Sequence, residues 1–224
     1  MVATATSATL SLIAWDERFD RELFSDTIVL KAISSMVIVL GGESSVPADP
    51  VQFPGDQGPF ELGIKLQKED GYDVYLYDED NAATDGSGTV YDDIVDAINN
   101  RGVTEIALYG YSHGGGSIYN LSWRLNENVL GNRTDITKTF TVPFTAYIDA
   151  VDDSYFSFGP ETSRPLLSVF HANQYQTNNV THGGPSGGNI DVDRTNLGLV
   201  HADIDDSLTV LNLIRANIGQ KVSR

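Results

Sequence analysis

The chain has 224 residues, 31 acidic and 14 basic, for a formal net charge of −17. That length suits one α/β domain with a sizeable core, and the charge argues against nucleic acid or an anionic membrane as partner. With no cysteine in the chain, disulfides, thiolate nucleophiles and cysteine-bound metals are excluded.

Such acidity also suits a salty medium, where ions screen self-repulsion, although many acidic proteins work in ordinary cytoplasm. Residues Met1 to Leu10 lack the positive start and long apolar core of a signal peptide. This favours the cytoplasm and leaves secretion open should a leader have been removed. No stretch approaches the ~20 apolar residues that a membrane-spanning helix needs.

In chain order, Thr9 to Trp15 is rich in strand formers and reads as an edge strand before a charged turn. Thr27 to Ile33 is ambiguous between strand and short helix. Met36 to Leu40, five apolar residues ending in Gly41-Gly42, has the make-up of a buried parallel strand. Glu43 to Pro59 is a loop, and Phe60 to Lys68 sets Leu62 and Leu66 at helical spacing. Asp73 to Tyr77 is the next buried strand. Ser87 or Thr89 can cap the helix that follows, whose inner face is Val90, Ile94, Ala97 and Ile98 and whose stop is Gly102. Val103 to Tyr109 is a strand, and a helix with Ile118, Leu121, Leu125 and Val129 on one face lies beyond residue 112. Further strands are expected at Phe144 to Ile148, at Leu166 to Phe170 and, briefly, at Asn189 to Asp193. A final helix, Asp205 to Ile218, would turn Leu208, Leu211, Ile214 and Ile218 inward. Strands alternating with helices imply an α/β fold, a mostly parallel sheet covered on both faces.

Between the central strand and its helix lies Tyr109-Gly110-Tyr111-Ser112-His113-Gly114-Gly115-Gly116, a Gly-x-Ser-x-Gly match in strand–turn–helix context. Glycines flanking the serine let strand and helix approach closely. A serine hydroxyl needs a base, and the four histidines are His113, His171, His182 and His201. His113 adjoins Ser112, so its side chain should point away; its backbone N–H, at a helix N-terminus, suits a developing negative charge. Acids at a strand's carboxyl end are Asp149, Asp152 and Asp153. The glycine-rich turn lacks a Gly-Lys-Ser/Thr ending, no His-Glu-x-x-His occurs, and Asp149 to Asp153 lacks calcium-loop spacing.

The turn resembles the nucleophile elbow of the α/β-hydrolase superfamily, in its lipase and esterase branch. The resemblance covers roughly residues 36 to 218 as pattern and order, and it implies one α/β-hydrolase domain over residues 1–224. Only Ala150 to Pro165 separates two strands where many esterases insert a cap, so no large cap domain is expected. By the resemblance, Ser112 is the nucleophile. His201, before the last helix, is the base, with His171 and His182 as alternatives. The chain order serine, acid, histidine puts the acid between them; Asp149, directly after Ala146-Tyr147-Ile148, takes that role because the next strand ends in His171-Ala172-Asn173 without an acid, with Asp152 second. The oxyanion donors are the His113 N–H and, from the Leu40-Gly41-Gly42-Glu43 loop, the N–H of Gly42 or Glu43. Tyr111, Phe53 and Tyr175 would offer apolar contact to substrate. No metal or other cofactor is implied. The expected activity is that of a carboxylesterase on short- to medium-chain esters, with activity falling below the ~6.5 reference pKa of a histidine base. A hydrolase-fold acyltransferase, thioesterase or peptidase would use the same residues, and a non-catalytic binding protein could share the fold.

Overall fold

The structure is a computed structural model that describes residues 7–16, 21–31, 33–43, 45, 47, 58–153 and 159–224. Contacts between Cα atoms separate two units, residues 1–33 and 34–224. The first contains an antiparallel pair, β1 (Ser7–Asp16) with β2 (Arg21–Lys31), in which Ser7 faces Lys31 and the register shifts between Ala14 and Trp15. The ambiguous stretch from Thr27 to Lys31 is therefore strand.

The second unit is built on six parallel strands: β3 (Ser35–Leu40), β4 (Asp73–Tyr77), β5 (Glu105–Tyr111), β6 (Thr141–Ile148), β7 (Ser168–Tyr175) and β8 (Ile190–Asp193). Their order is β4-β3-β5-β6-β7-β8. The chain steps outward from β3 to β4, then crosses back to β5 and proceeds the other way. The reversal leaves a crevice at the carboxyl ends of β3 and β5, the place where open parallel sheets of this kind bind ligands.

Residue alternation assigns the helices to faces. Met36, Ile38 and Leu40 point one way, with Ile106 and Leu108 of β5 beside them. They meet α2 (Thr89–Asp96) through Val90 and Ile94, and α3 (His113–Val129) through Ile118, Leu121 and Leu125. Val37 and Val39 point the other way, with Ala107 and Tyr109. They meet α1 (Gly58–Lys68) through Phe60, Leu62 and Leu66, and α5 (Leu208–Lys221) through Leu211, Ile214 and Ile218. A four-residue helix, α4 (His201–Ile204), precedes α5. The fold is thus α/β, a parallel sheet with helices on both faces.

Several sequence expectations need correction. Val129 and Leu208 are exposed by 56% and 67%; they are the last residue of α3 and the first of α5, so their spacing is right but their position is terminal. The α2 N-cap is Gly88, with no side-chain cap from either Ser87 or Thr89. The strand expected to end at Phe170 continues through Tyr175, which makes His171 a mid-strand residue. Gly102 does end its helix: it takes the left-handed conformation at φ 80° and closes a π turn over Ala97–Arg101.

One acid on the carboxyl edge sets a pH term in stability. Glu79, in the 3-10 turn after β4, is only 4% exposed. Burial, with the Asp78 carboxyl beside it, pushes its pKa up to about 9. A glutamate held neutral in the fold but free to ionise when unfolded costs stability progressively as pH rises through that interval. Glu79→Gln is therefore expected to raise the melting temperature at about pH 8, and the gain should vanish near pH 4, where both states are protonated. Thermal melts of the two proteins across that range check it.

Candidate active site

Ser112 is the single residue between β5, ending at Tyr111, and α3, starting at His113. Its backbone sits at φ 54°, ψ −128°, a region that costs a non-glycine residue about 1–3 kcal/mol and persists only where surroundings enforce it. Three backbone bonds do so. The Ser112 N–H donates to the Ile148 carbonyl at 3.1 Å, and the Ser112 carbonyl accepts from Gly115 and Val151, both at 2.9 Å. The flanking glycines make the crossing sterically open. A Cβ on Gly110 would strike the Gly114 carbonyl, and one on Gly114 would strike the carbonyls of Gly41 and Leu40.

The Ser112 hydroxyl meets His201 Nε2 at 2.8 Å, and His201 Nδ1 meets Asp149 Oδ2 at 2.7 Å. A carboxylate only accepts, so the imidazole proton belongs on Nδ1 and Nε2 is left to accept from the hydroxyl. Asp149 directly follows β6 and takes φ 47°. Its side chain is fully buried, and it accepts three further bonds: from Gln176 N at 3.0 Å, Gln176 Nε2 at 2.7 Å and Gly183 N at 2.6 Å. Every direction from which a buried carboxylate needs a donor is thereby served. His201 opens α4 and keeps 15% of its side chain exposed. The Tyr111 ring stacks on its imidazole, with centroids 5.1 Å apart, and the Tyr111 hydroxyl donates to the His201 carbonyl at 2.9 Å.

The remaining expected residues fall at varied distances from this relay. Gly42 lies against Ser112: a Cβ there would come within 3.0 Å of the Ser112 Cβ and of the Tyr111 ring. His113 is the first residue of α3. Tyr175 ends β7, two strands from β5, and is registered against Asp193. Phe53 lies outside the described residues. Asp152 donates its N–H to the Gly159 carbonyl, while the acid on His201 is Asp149. The two alternative bases are engaged elsewhere. His171 bonds Thr145 through Nδ1 and Ser186 through Nε2, and burial pushes its pKa down to about 4. His182 donates from Nδ1 to the Gly183 carbonyl at 2.6 Å. Sequence reasoning missed Gln176 and Gly183, because a loop rich in Asn, Gly and Thr gives no sign of which N–H groups will face an acid 27 and 34 residues earlier.

Among the described residues, no group of three or more His, Asp or Glu side chains is placed to hold a metal ion, and no helix is long and apolar enough to cross a membrane. The chain matches no family model, no curated protein and no solved structure.

The close approach of α3 to the turn after β3 is directly testable. Gly114→Ala places a methyl group on two backbone carbonyls that cannot rotate away. The expected result is a loss of about 1–3 kcal/mol or more, the range for overpacking in a tight site, read as a lower urea midpoint. Gly131→Ala, at an open position with positive φ, should cost less.

Proposed function

We propose that this chain is a serine hydrolase of the α/β-hydrolase kind, cleaving carboxylic esters through an acyl-enzyme. The observation that carries the reading is the continuous line from the Ser112 hydroxyl through His201 to buried Asp149. It stands at the crevice where the parallel sheet reverses its order. A strained serine between strand and helix, flanked by glycines, supports it further.

In this reading, the Ser112 Oγ attacks the ester carbonyl carbon while its proton passes to His201 Nε2. The oxygen of the tetrahedral intermediate takes its hydrogen bonds from the backbone N–H groups of His113 and Gly42, each such donor contributing about 10²–10³-fold. Collapse breaks the bond to the alcohol, which leaves with the proton from His201. Water then adds to the acyl carbon, giving a proton to the same nitrogen, and the acid departs as Ser112 recovers its hydrogen. Asp149 holds His201 in the required tautomer and stabilises the imidazolium formed midway. The Tyr111 ring packs on the imidazole, and its hydroxyl holds the His201 main chain. The substrate class is an ester of short to medium acyl chain, in keeping with the short segment Ala150 to Pro165 where many esterases insert a cap.

A fluorophosphonate probe should label Ser112, and p-nitrophenyl acetate should be turned over. Ser112→Ala and His201→Ala are expected to lose at least about 10³-fold in kcat, and Asp149→Asn roughly 10⁴-fold through the wrong tautomer. Full turnover in Ser112→Ala would end the proposal. An undiminished Asp149→Asn would transfer the acid's role to Asp152.

A further inference from the structure

Strand β7 carries an unusual run of buried polar side chains. His171, Asn173, Gln174 and, just beyond the strand, Gln176 are each exposed by 1% or less. Burial without partners would cost each of them dearly, so their bonds reveal what the run is for. His171 holds Ser186 at 2.9 Å. Asn173 Nδ2 donates to the Gly184 carbonyl and to Asp191 Oδ1, both at 2.7 Å. The strand therefore grips the segment that carries Gly183, whose N–H reaches Asp149.

Gln176 completes the grip and touches the acid itself. Its backbone N–H and its side-chain amide reach different oxygens of Asp149, Oδ1 at 3.0 Å and Oδ2 at 2.7 Å. The second amide hydrogen goes to the Thr181 carbonyl at 3.2 Å, and the amide oxygen accepts from Asn178 N at 2.6 Å. The side chain is thus fixed at both ends of its amide and cannot turn away from the acid.

We propose that Gln176 is a positioning residue of the reaction. It clamps the plane of the Asp149 carboxylate so that Oδ2 stays on His201 Nδ1. This role rests on the hydrolase reading above. Gln176 acts through Asp149 and has no contact with the ester. The position calls for a neutral donor of glutamine's length. A glutamate there would set a second carboxylate against Oδ2, and two such groups cannot both stay charged at bonding distance. On acidification, a proton held between them would restore a donor where the amide had been.

The test uses the full chain, p-nitrophenyl acetate and active-site titration with a fluorophosphonate, so that rates refer to folded, reactive enzyme. Gln176→Met, which removes the amide and keeps the backbone N–H, is expected to lower kcat about 10–100-fold, the range for losing an orienting partner, with KM changed less than about twofold. Gln176→Glu should be at least as impaired at alkaline pH, and its activity relative to wild type should climb as pH falls. Gln176→Met should show no such recovery. Wild-type kcat per titrated site in Gln176→Met, whatever its melting temperature, would overturn the role while leaving the hydrolase reading intact. If Gln176→Met does not fold, a Gln176→Glu ratio that stays flat with pH overturns it. A wild-type protein that neither labels nor turns over ester would remove the hydrolase reading, and this role with it.

Discussion

A carboxyl group taken wholly out of water needs a hydrogen-bond donor in every direction where a lone pair points. Asp149 is such a group, and the architecture around it can be read as the answer to that demand. Gln176 and Gly183 supply three N–H groups and His201 a fourth. These donors come from two segments that would otherwise be surface loops, one leaving β7 and one entering α4. Meeting the requirement draws both segments over the carboxyl end of β6. The imidazole is thereby delivered to the hydroxyl of Ser112, one strand away in the sheet.

The sheet provides the other half of the geometry. Its order reverses between β3 and β5, so the turns that follow these two neighbouring strands stand side by side and lead to opposite faces of the sheet. Glycines on both turns let them touch: the backbones of Leu40 and Gly41 lie against Gly114, and Gly42 lies against Ser112. A side chain at Gly114 would force the two turns apart. The strained backbone of Ser112 is thus enforced from β6 through Ile148, from the segment after it through Val151, and from the helix ahead through Gly115.

What the sequence made legible was local. The strand–turn–helix around Ser112 and the five-residue apolar strand from Met36 to Leu40 depend on neighbours within one turn or one strand. They appear in the structure with shifts of only a few residues. Helix faces were legible too, except at Val129 and Leu208, where periodicity cannot tell that a helix has run past the surface it covers. What the sequence hid was long-range. β7 was cut short at Phe170 because His171, Asn173, Gln174 and Gln176 look like loop residues until their distant partners are known. Its place directly after an apolar strand points to Asp149 ahead of Asp152, but nothing in the local pattern points to the amide and the glycine that hold it.

Tyr111 ties together two segments that lie far apart along the chain. Its peptide bond joins it to Ser112, while its phenol reaches the main chain of His201, 90 positions further on. Helix α4 has only four residues, too few to stay put by its own hydrogen bonds. The phenol acts as a strut from the rigid centre of the sheet to that small helix. The strut sets the His201 main chain at a fixed reach from the strand end next to Ser112.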